Sequence, residues 1–113
     1  MPSSLTQKLI DIRDNIVLAR QWSDGLTIAE LSNDKLRFYA VTRALEIISE
    51  ASRGLDTDVK HRHPELPWAD IAGAGNVYRH DYEEIADRLI WETVNADLPP
   101  LLAVVEFEIA SAG

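Results

Sequence analysis

The sequence contains no cysteine, which excludes disulfides, thiolate metal ligands and cysteine nucleophiles. No apolar run approaches the roughly 18 residues that a membrane-spanning helix needs. The N-terminal stretch becomes charged within a few residues, which is not typical of a signal peptide. We therefore expect a protein without membrane association, and the absence of cysteine is compatible with the reducing cytoplasm.

Positive charge is also scarce, because 11 Lys and Arg residues stand against 19 Asp and Glu residues, for a net charge of −8. An acidic protein does not concentrate polyanions around itself, so non-specific nucleic-acid binding is disfavoured. A local basic groove, particularly one formed across a dimer, remains compatible with this composition. The length of 113 residues predicts a single domain over residues 1–113 with one modest core.

Apolar residues recur at helical spacing along most of the chain. Ser3 and Ser4 are candidate N-caps for a first helix that runs to about Trp22 and stops at Asp24-Gly25. The apolar stripe of this helix comprises Leu5, Leu9, Ile12, Ile16 and Ala19.

The next two helices are predicted from their start signals. Thr27 and Glu30 have the spacing of a capping box, and Asn33 is the candidate N-cap of a long helix that closes at Arg53-Gly54. The apolar stripe predicted for this long helix is Leu36, Tyr39, Ala40, Arg43, Ala44, Ile47, Ile48 and Ala51.

The second half of the chain reads as shorter helices separated by prolines. Residues 56–67 predict a short helix and a turn, in which His61 and His63 are interpreted as part of a solvated loop rather than as metal ligands. A helix is predicted after the motif described below. We expect Asp97-Leu98-Pro99-Pro100 to end that helix, and a final helix to follow the prolines. The fold prediction is an all-α, up-and-down bundle of about five helices.

The densest cluster of reactive side chains is the segment GAGNVYRHDY, residues 73–82. The ordinary pKa of histidine lies close to neutrality, so His80 is a candidate for proton transfer. Arg79 is a candidate contact for a substrate phosphate, while Asn76 and Tyr82 offer hydrogen bonds to ribose or phosphoryl oxygens. These residue types are compatible with metal-independent phosphoryl transfer in RNA, in which histidine activates a 2′-hydroxyl or protonates the leaving oxygen. A histidine that only donates structural hydrogen bonds is the other interpretation.

Several spaced blocks resemble the HepT-type branch of the HEPN-domain proteins. They are LRFYAVTRALEIISEASRGL, with Glu50 inside it, and LPWADIAGAGNVYRHDYEEIADRLIWETVNADLPPLL, and the resemblance extends from about residue 5 to residue 105. It implies a HEPN-like homodimer that acts as the toxin of a toxin–antitoxin pair. The implied activity is metal-independent RNA cleavage through a motif of Arg, four residues, His, any residue and Tyr, without a cofactor.

The resemblance also implies roles for single residues. His80 falls on the catalytic histidine, Tyr82 on the tyrosine that the antitoxin modifies, and Asn76 on the polar position after the motif arginine. The implied antitoxin is a minimal nucleotidyltransferase of the MntA type, which binds the toxin and transfers AMP to Tyr82. The two motifs of a dimer would face one another across one cleft.

The motif arginine is missing, because Gly75 stands five residues before His80. Glycine has no side chain to contact a phosphate, so activity is expected to be impaired or lost. Three explanations remain open: an engineered inactivating change, a naturally degenerate toxin, or replacement of the missing cation by Arg79. The alternative function is a non-catalytic helical dimer that serves as a binding module for a nucleotidyltransferase.

Overall fold

The structure, a computed structural model, describes residues 4–73 and 83–112, and all its regular elements are helical. A π-helical turn, Thr93–Asp97, joins the last two helices. The all-α fold predicted from the sequence is therefore confirmed. The helices are α1 (Leu5–Ser23), α2 (Ile28–Asn33), α3 (Lys35–Arg53), α4 (Thr57–Arg62), α5 (residues 68–73), α6 (Glu83–Glu92) and α7 (Leu98–Ala112).

Helix α1 carries the central apolar face of the core and packs against both α3 and α7. Its first turn is capped by Ser4, whose Oγ accepts a hydrogen bond from the Gln7 backbone N–H at 3.0 Å. Gly25, just after the helix, has a φ of +74°, a backbone conformation that glycine adopts without steric cost. The predicted stripe is largely confirmed, since the following residues are fully buried: Leu9, Ile12, Ile16 and Ala19.

The start of α2 follows the predicted capping box. The Glu30 backbone N–H donates to Thr27 Oγ1 at 3.1 Å, and the Thr27 backbone N–H donates to Glu30 Oε1 at 2.9 Å. The predicted N-cap of α3 is wrong by one residue, because Asn33 ends α2. Asp34 caps α3 instead, its carboxylate accepting from the Arg37 backbone N–H at 3.1 Å.

The buried face of α3 differs from the stripe predicted for it. Leu36 is 82% exposed and Tyr39 is 65% exposed. Apolar side chains form two neighbouring rows along α3. Helix α1 packs against the row that starts at Val41 and buries it. The buried residues of α3 are Val41, Ala44, Leu45, Ile48, Ser49 and Ser52.

The predicted break at Pro99-Pro100 is also wrong, since the helical path continues from α6 into α7. The Leu98 backbone N–H bonds to the Thr93 carbonyl five residues earlier, and Leu98 has helical angles of φ −68° and ψ −38°. Both prolines lie in the first turn of α7, where the missing N–H groups are tolerated. The wider π-helical turn therefore accommodates the prolines without ending the helix.

His63 is another correction, because it is largely buried and does not lie in a solvated loop. Its Nε2 lies 2.7 Å from Glu108 Oε2, and the Arg62 guanidinium donates to the same carboxylate through Nη2 at 2.5 Å and Nε at 3.2 Å. The His63 ring also meets Phe107 edge-on, with centroids 5.8 Å apart. Glu108 is only 4% exposed, so these contacts join the end of α4 to α7 around a buried carboxylate.

None of the helices formed by residues 4–73 and 83–112 is long and apolar enough to cross a membrane.

We predict that Glu108→Gln destabilises the protein by about 1–3 kcal/mol at pH 7, because charge-assisted hydrogen bonds become neutral ones. The hydrogen bond from Arg62 lowers the pKa of Glu108, burial acts in the opposite direction, and the hydrogen bond from His63 adds to the lowering. A lowered folded-state pKa stabilises the fold above the ordinary glutamate pKa. That stabilisation is lost as the pH falls through the folded-state value.

Urea unfolding of both forms between neutral and acidic pH would measure this. The difference in unfolding free energy between the two forms should shrink as the pH falls. The matched control is Glu106→Gln, an exposed glutamate two residues earlier on α7, which should change stability little. Equal losses in the two variants would show that the contacts of Glu108 do not stabilise the fold.

Asp97 in the π-helical turn differs from Glu108, because its pKa is raised rather than lowered. It lines a small space beside α5 together with Ser49 and Ile71. Burial raises the pKa of Asp97, and the negative charges of Asp70 and Glu92 raise it further. A raised folded-state pKa means that the ionised carboxylate costs stability at neutral pH.

We predict that Asp97→Asn stabilises the protein at neutral pH, because it removes this cost. The gain should disappear below the ordinary aspartate pKa, where the carboxyl is protonated in both the folded and the unfolded state. Melting temperatures of the two forms across that pH range would measure the effect. A gain that stayed constant with pH would contradict the electrostatic explanation.

Candidate functional site

The residues predicted to form the site lie outside the residues that the structure describes. They are Gly75, Asn76, Arg79, His80 and Tyr82, and their roles stay predictions. The structure does describe both flanks of this segment. The described residues of α5 end at position 73, shortly before Gly75, and α6 begins one residue after Tyr82. The contacts of α5 and α6 therefore show how the two helices on either side of the motif segment are held, and we call these two helices the frame of the site.

Helix α5 is held by two side chains of α3. Ser49 Oγ donates to the Ile71 carbonyl at 2.8 Å, and Arg53 Nη1 donates to the Ala72 carbonyl at 2.6 Å. Ser49 and Arg53 are four residues apart, so they lie on the same face of α3. Successive carbonyls of α5 are thus bound by successive turns of α3, which fixes where the chain enters the motif segment.

Helix α6 follows the motif in the sequence, and two hydrogen bonds hold it against the first third of the chain. Ser32 Oγ donates to Asp87 Oδ2 at 2.7 Å, which joins the end of α2 to α6. The Trp91 indole Nε1 donates to the Leu26 carbonyl at 3.1 Å, in the turn before α2. The residues following His80 and Tyr82 are therefore connected to the first third of the chain.

Trp68 on α5 and Trp91 on α6 lie on the two helices that flank the motif segment. Both are partly buried and pack against the core. The Trp68 indole Nε1 donates to the His63 carbonyl at 2.9 Å, so both indoles have a backbone acceptor. The two tryptophans therefore anchor α5 and α6 to the core.

The charges near the described flanks are mixed. Arg53 on α3 and Arg88 on α6 are exposed cations, whereas Glu50, Asp70 and Asp87 place carboxylates on α3, α5 and α6. Within residues 4–73 and 83–112, no group of three or more histidine and carboxylate side chains is arranged to hold a metal ion. A phosphate bound near these helices would be neutralised by single arginines such as Arg53 and Arg88, because neighbouring carboxylates offset the positive charge.

Sequence reasoning missed the supporting contacts of Ser49, Arg53 and Asp87. The signal for the first two was the spacing of four residues, with Ser49 inside an apolar row where a hydroxyl needs a partner. The Ser32–Asp87 contact joins residues that are 55 positions apart, and no local pattern indicates it.

Comparison with known proteins identifies the family of this chain. The family model described as "Ribonuclease HepT-like" matches residues 12–107. The chain is 37% identical over 101 residues to a protein of Thermococcus cleftensis named "Probable ribonuclease HepT", covering 89% of this chain and 92% of that relative. It is 36% identical over 98 residues to a Methanocaldococcus jannaschii protein provisionally named an RNase, covering 87% of this chain and 90% of that relative.

No solved structure gives a significant match to the chain. The family match spans nearly the whole helical bundle and contains the motif segment together with both of its described flanks. The chain therefore belongs to the HepT-like ribonuclease family.

Proposed function

We propose that the protein is the ribonuclease toxin of a toxin–antitoxin pair and that it cleaves RNA without a metal ion. The observation that carries the proposal is the family match over residues 12–107, which contains the intact His80-Asp81-Tyr82. The names of the relatives as ribonucleases support RNA as the substrate class. The negative net charge favours a substrate bound at one site over non-specific binding to nucleic acid.

In the proposed reaction, a ribose 2′-hydroxyl attacks the adjacent phosphorus and the bond to the 5′-oxygen of the next nucleotide breaks. His80 accepts the 2′-hydroxyl proton or donates a proton to the leaving oxygen, a role that suits histidine because its ordinary pKa lies near neutrality. Negative charge increases on the phosphoryl oxygens in the transition state, and a cation nearby stabilises it. Asn76 and Tyr82 are proposed to position the ribose and phosphate by hydrogen bonds, and Arg79 is a further candidate for the phosphate contact.

The proposal includes a homodimer in which two motifs face one cleft. Exposed apolar side chains on the single chain support it: Leu36 and Tyr39 lie one turn apart on α3 and are 82% and 65% exposed. Burial of such side chains in a second copy would be favourable. The proposed location is the cytoplasm.

The proposed partner is a minimal nucleotidyltransferase of the MntA type that neutralises the toxin. In the proposed reaction, the Tyr82 phenolic oxygen attacks the α-phosphorus of ATP, pyrophosphate leaves and the phenolic proton passes to solvent. An AMP group on Tyr82, two residues after His80 in the sequence, would add bulk and negative charge that repels RNA phosphate.

A second candidate function is a non-catalytic helical dimer that serves as a binding module for the nucleotidyltransferase. The absence of an arginine side chain at Gly75 favours it. The intact His80-Asp81-Tyr82 favours the ribonuclease. Both functions predict the same partner, so RNA cleavage is the measurement that separates them.

We predict that Gly75→Arg raises the rate of RNA cleavage by about 10²–10³-fold, the usual worth of one group that stabilises transition-state charge. His80→Ala in the Gly75→Arg background should abolish the cleavage. Purified proteins would be incubated with RNA in the presence of a chelator, and the products separated on denaturing gels. If no form cleaves RNA, the binding-module function is favoured instead.

We also predict that Tyr82 accepts AMP when the protein is incubated with ATP and a partner nucleotidyltransferase. Mass spectrometry should find one or more added adenylyl groups on the peptide that contains Tyr82. Tyr82→Phe should prevent the addition, whereas Tyr78→Phe, a tyrosine four residues earlier, should not. Modification of Tyr82→Phe at the parent level would contradict the assignment.

A further inference from the structure

A cleft lies where the C-terminal end of α1 meets the π-helical turn and α7. Its volume is about 450 Å³, within the range of roughly 300–1,000 Å³ that small-molecule sites occupy. Its lining includes Val17 and Arg20 of α1, Asp24 in the turn that follows, and Val94 and Asn95 of the π-helical turn. Turns of π-helix are frequent at functional sites. The cleft therefore combines a suitable volume with a backbone element that is typical of binding sites.

Two opposite charges border the cleft about one helical turn apart. Arg20 and Asp24 are both exposed, and neither forms an ion pair with a residue of the ranges 4–73 and 83–112. The planar guanidinium of Arg20 fits two oxygens of a phosphate. The Asp24 carboxylate only accepts hydrogen bonds, so it suits hydroxyl groups such as those of a ribose.

The backbone carbonyls at the end of α1 are already bound, which matters because a helix C-terminus carries a partial negative charge that disfavours anions. Ser23 Oγ donates to the Ala19 carbonyl at 2.8 Å, and the Leu26 backbone N–H donates to the Ser23 carbonyl at 3.1 Å. Arg37 Nη1 donates to the Trp22 carbonyl at 3.2 Å and brings a positive charge to the helix end. The end of α1 therefore opposes a bound phosphate less than a free helix end would.

The other side of the cleft offers apolar surface and one amide that is held in place. Val94 is buried, and Leu102 and the half-exposed Val17 extend the apolar lining. Asn95 Nδ2 donates to the Trp91 carbonyl at 2.8 Å, which uses one of its two N–H groups. Its other N–H and its side-chain oxygen match the acceptors and donors on the edge of a nucleobase.

We propose that this cleft binds a single ribonucleotide, with the phosphate on Arg20, the ribose hydroxyls on Asp24 and the base against Val94 and Leu102 with its edge at Asn95. The ligand is a free nucleoside monophosphate or one nucleotide of an RNA strand, because both present the same three groups. An amino acid would satisfy the two charges but would leave the amide of Asn95 without a ligand contact. The proposal goes beyond the ribonuclease function and does not involve the motif segment.

The experiment is an NMR titration of the ¹⁵N-labelled parent protein with AMP, GMP, CMP and UMP. The side-chain amide of Asn95 and the backbone amide of Gly25, which also lines the cleft, should shift saturably with a Kd below about 1 mM. Inorganic phosphate and leucine, titrated in parallel, should bind about 10-fold more weakly, because each makes only part of the contacts.

The phosphate contact is tested by Arg20→Gln, which should raise the Kd for AMP by about 10–100-fold through loss of charge-assisted hydrogen bonds. The matched control is Arg13→Gln, because Arg13 lies two turns earlier on α1 and pairs with Asp14. This control should leave the Kd unchanged. Thermal unfolding of each variant checks that it is folded.

The ribose contact is tested by the ratio of the Kd values for 2′-deoxy-AMP and AMP. The parent should bind AMP about 10-fold more tightly than the deoxynucleotide, and Asp24→Asn should remove most of this preference. Removing the charge of Asp24 strengthens the binding of both anions by electrostatics alone, so the ratio isolates the hydroxyl contact. Asp14→Asn, which removes an equal charge from α1, should leave the ratio as in the parent.

The source of the nucleotide is identified by a titration with a short oligoadenylate RNA that lacks terminal phosphates, its integrity checked on a gel. Tighter binding of the oligonucleotide than of AMP would identify an RNA strand as the ligand. Tighter binding of AMP would identify the free nucleotide. Both results support a ribonucleotide site.

Four outcomes overturn the proposal. They are no saturable shift with any ribonucleotide, an Arg20→Gln Kd equal to that of the parent, phosphate binding as tight as AMP binding, and leucine binding as tight as AMP binding. The third result would show a simple anion site, and the fourth an amino-acid site. None of these titrations measures RNA cleavage, so failure of this proposal and failure of the ribonuclease function are separate results.

Discussion

The burial of one face of α1 is the constraint on which the rest of the bundle depends. The buried apolar side chains of α1 are fully withdrawn from solvent, and the helix contacts α3 and α7. Each large apolar side chain among them stabilises the fold by roughly 1.5–3 kcal/mol relative to exposure. Because α1 covers one row of α3, a neighbouring face of α3 is left to bind α5 through Ser49 and Arg53. The frame of the candidate site therefore follows from the hydrophobic core.

At two places, polar contacts fix which helices pack against each other around this core. Glu108 is buried and is held by Arg62 and His63, which fixes the end of α4 against α7. Ser32 and Asp87 fix the end of α2 against α6. Each contact joins segments far apart in sequence, and an unpaired carboxylate at the buried position would be costly. Helix α6, which follows the motif, is thus positioned by contacts that the motif itself does not make.

Local sequence signals predicted the helical elements well and their packing less well. The Ser4 cap, the Thr27–Glu30 capping box and the stop at Gly25 depend on residues within one turn of each other, so they can be read directly. The exposed Leu36 and the buried His63 were predicted wrongly, because their environment is decided by which distant helix covers them. The two prolines were expected to break a helix that a π-helical turn in fact continues.

The all-α class, the family and the identity of the motif residues, including the glycine at position 75, can be read from the order of the amino acids. These properties depend on residue order and on interactions within a few residues, which a single sequence displays. The contact of Arg53 with the Ala72 carbonyl and the contacts of Glu108 with Arg62 and His63 become visible once the helices are packed together. Helical periodicity specifies which residues share a face, but packing against another helix decides what that face contacts.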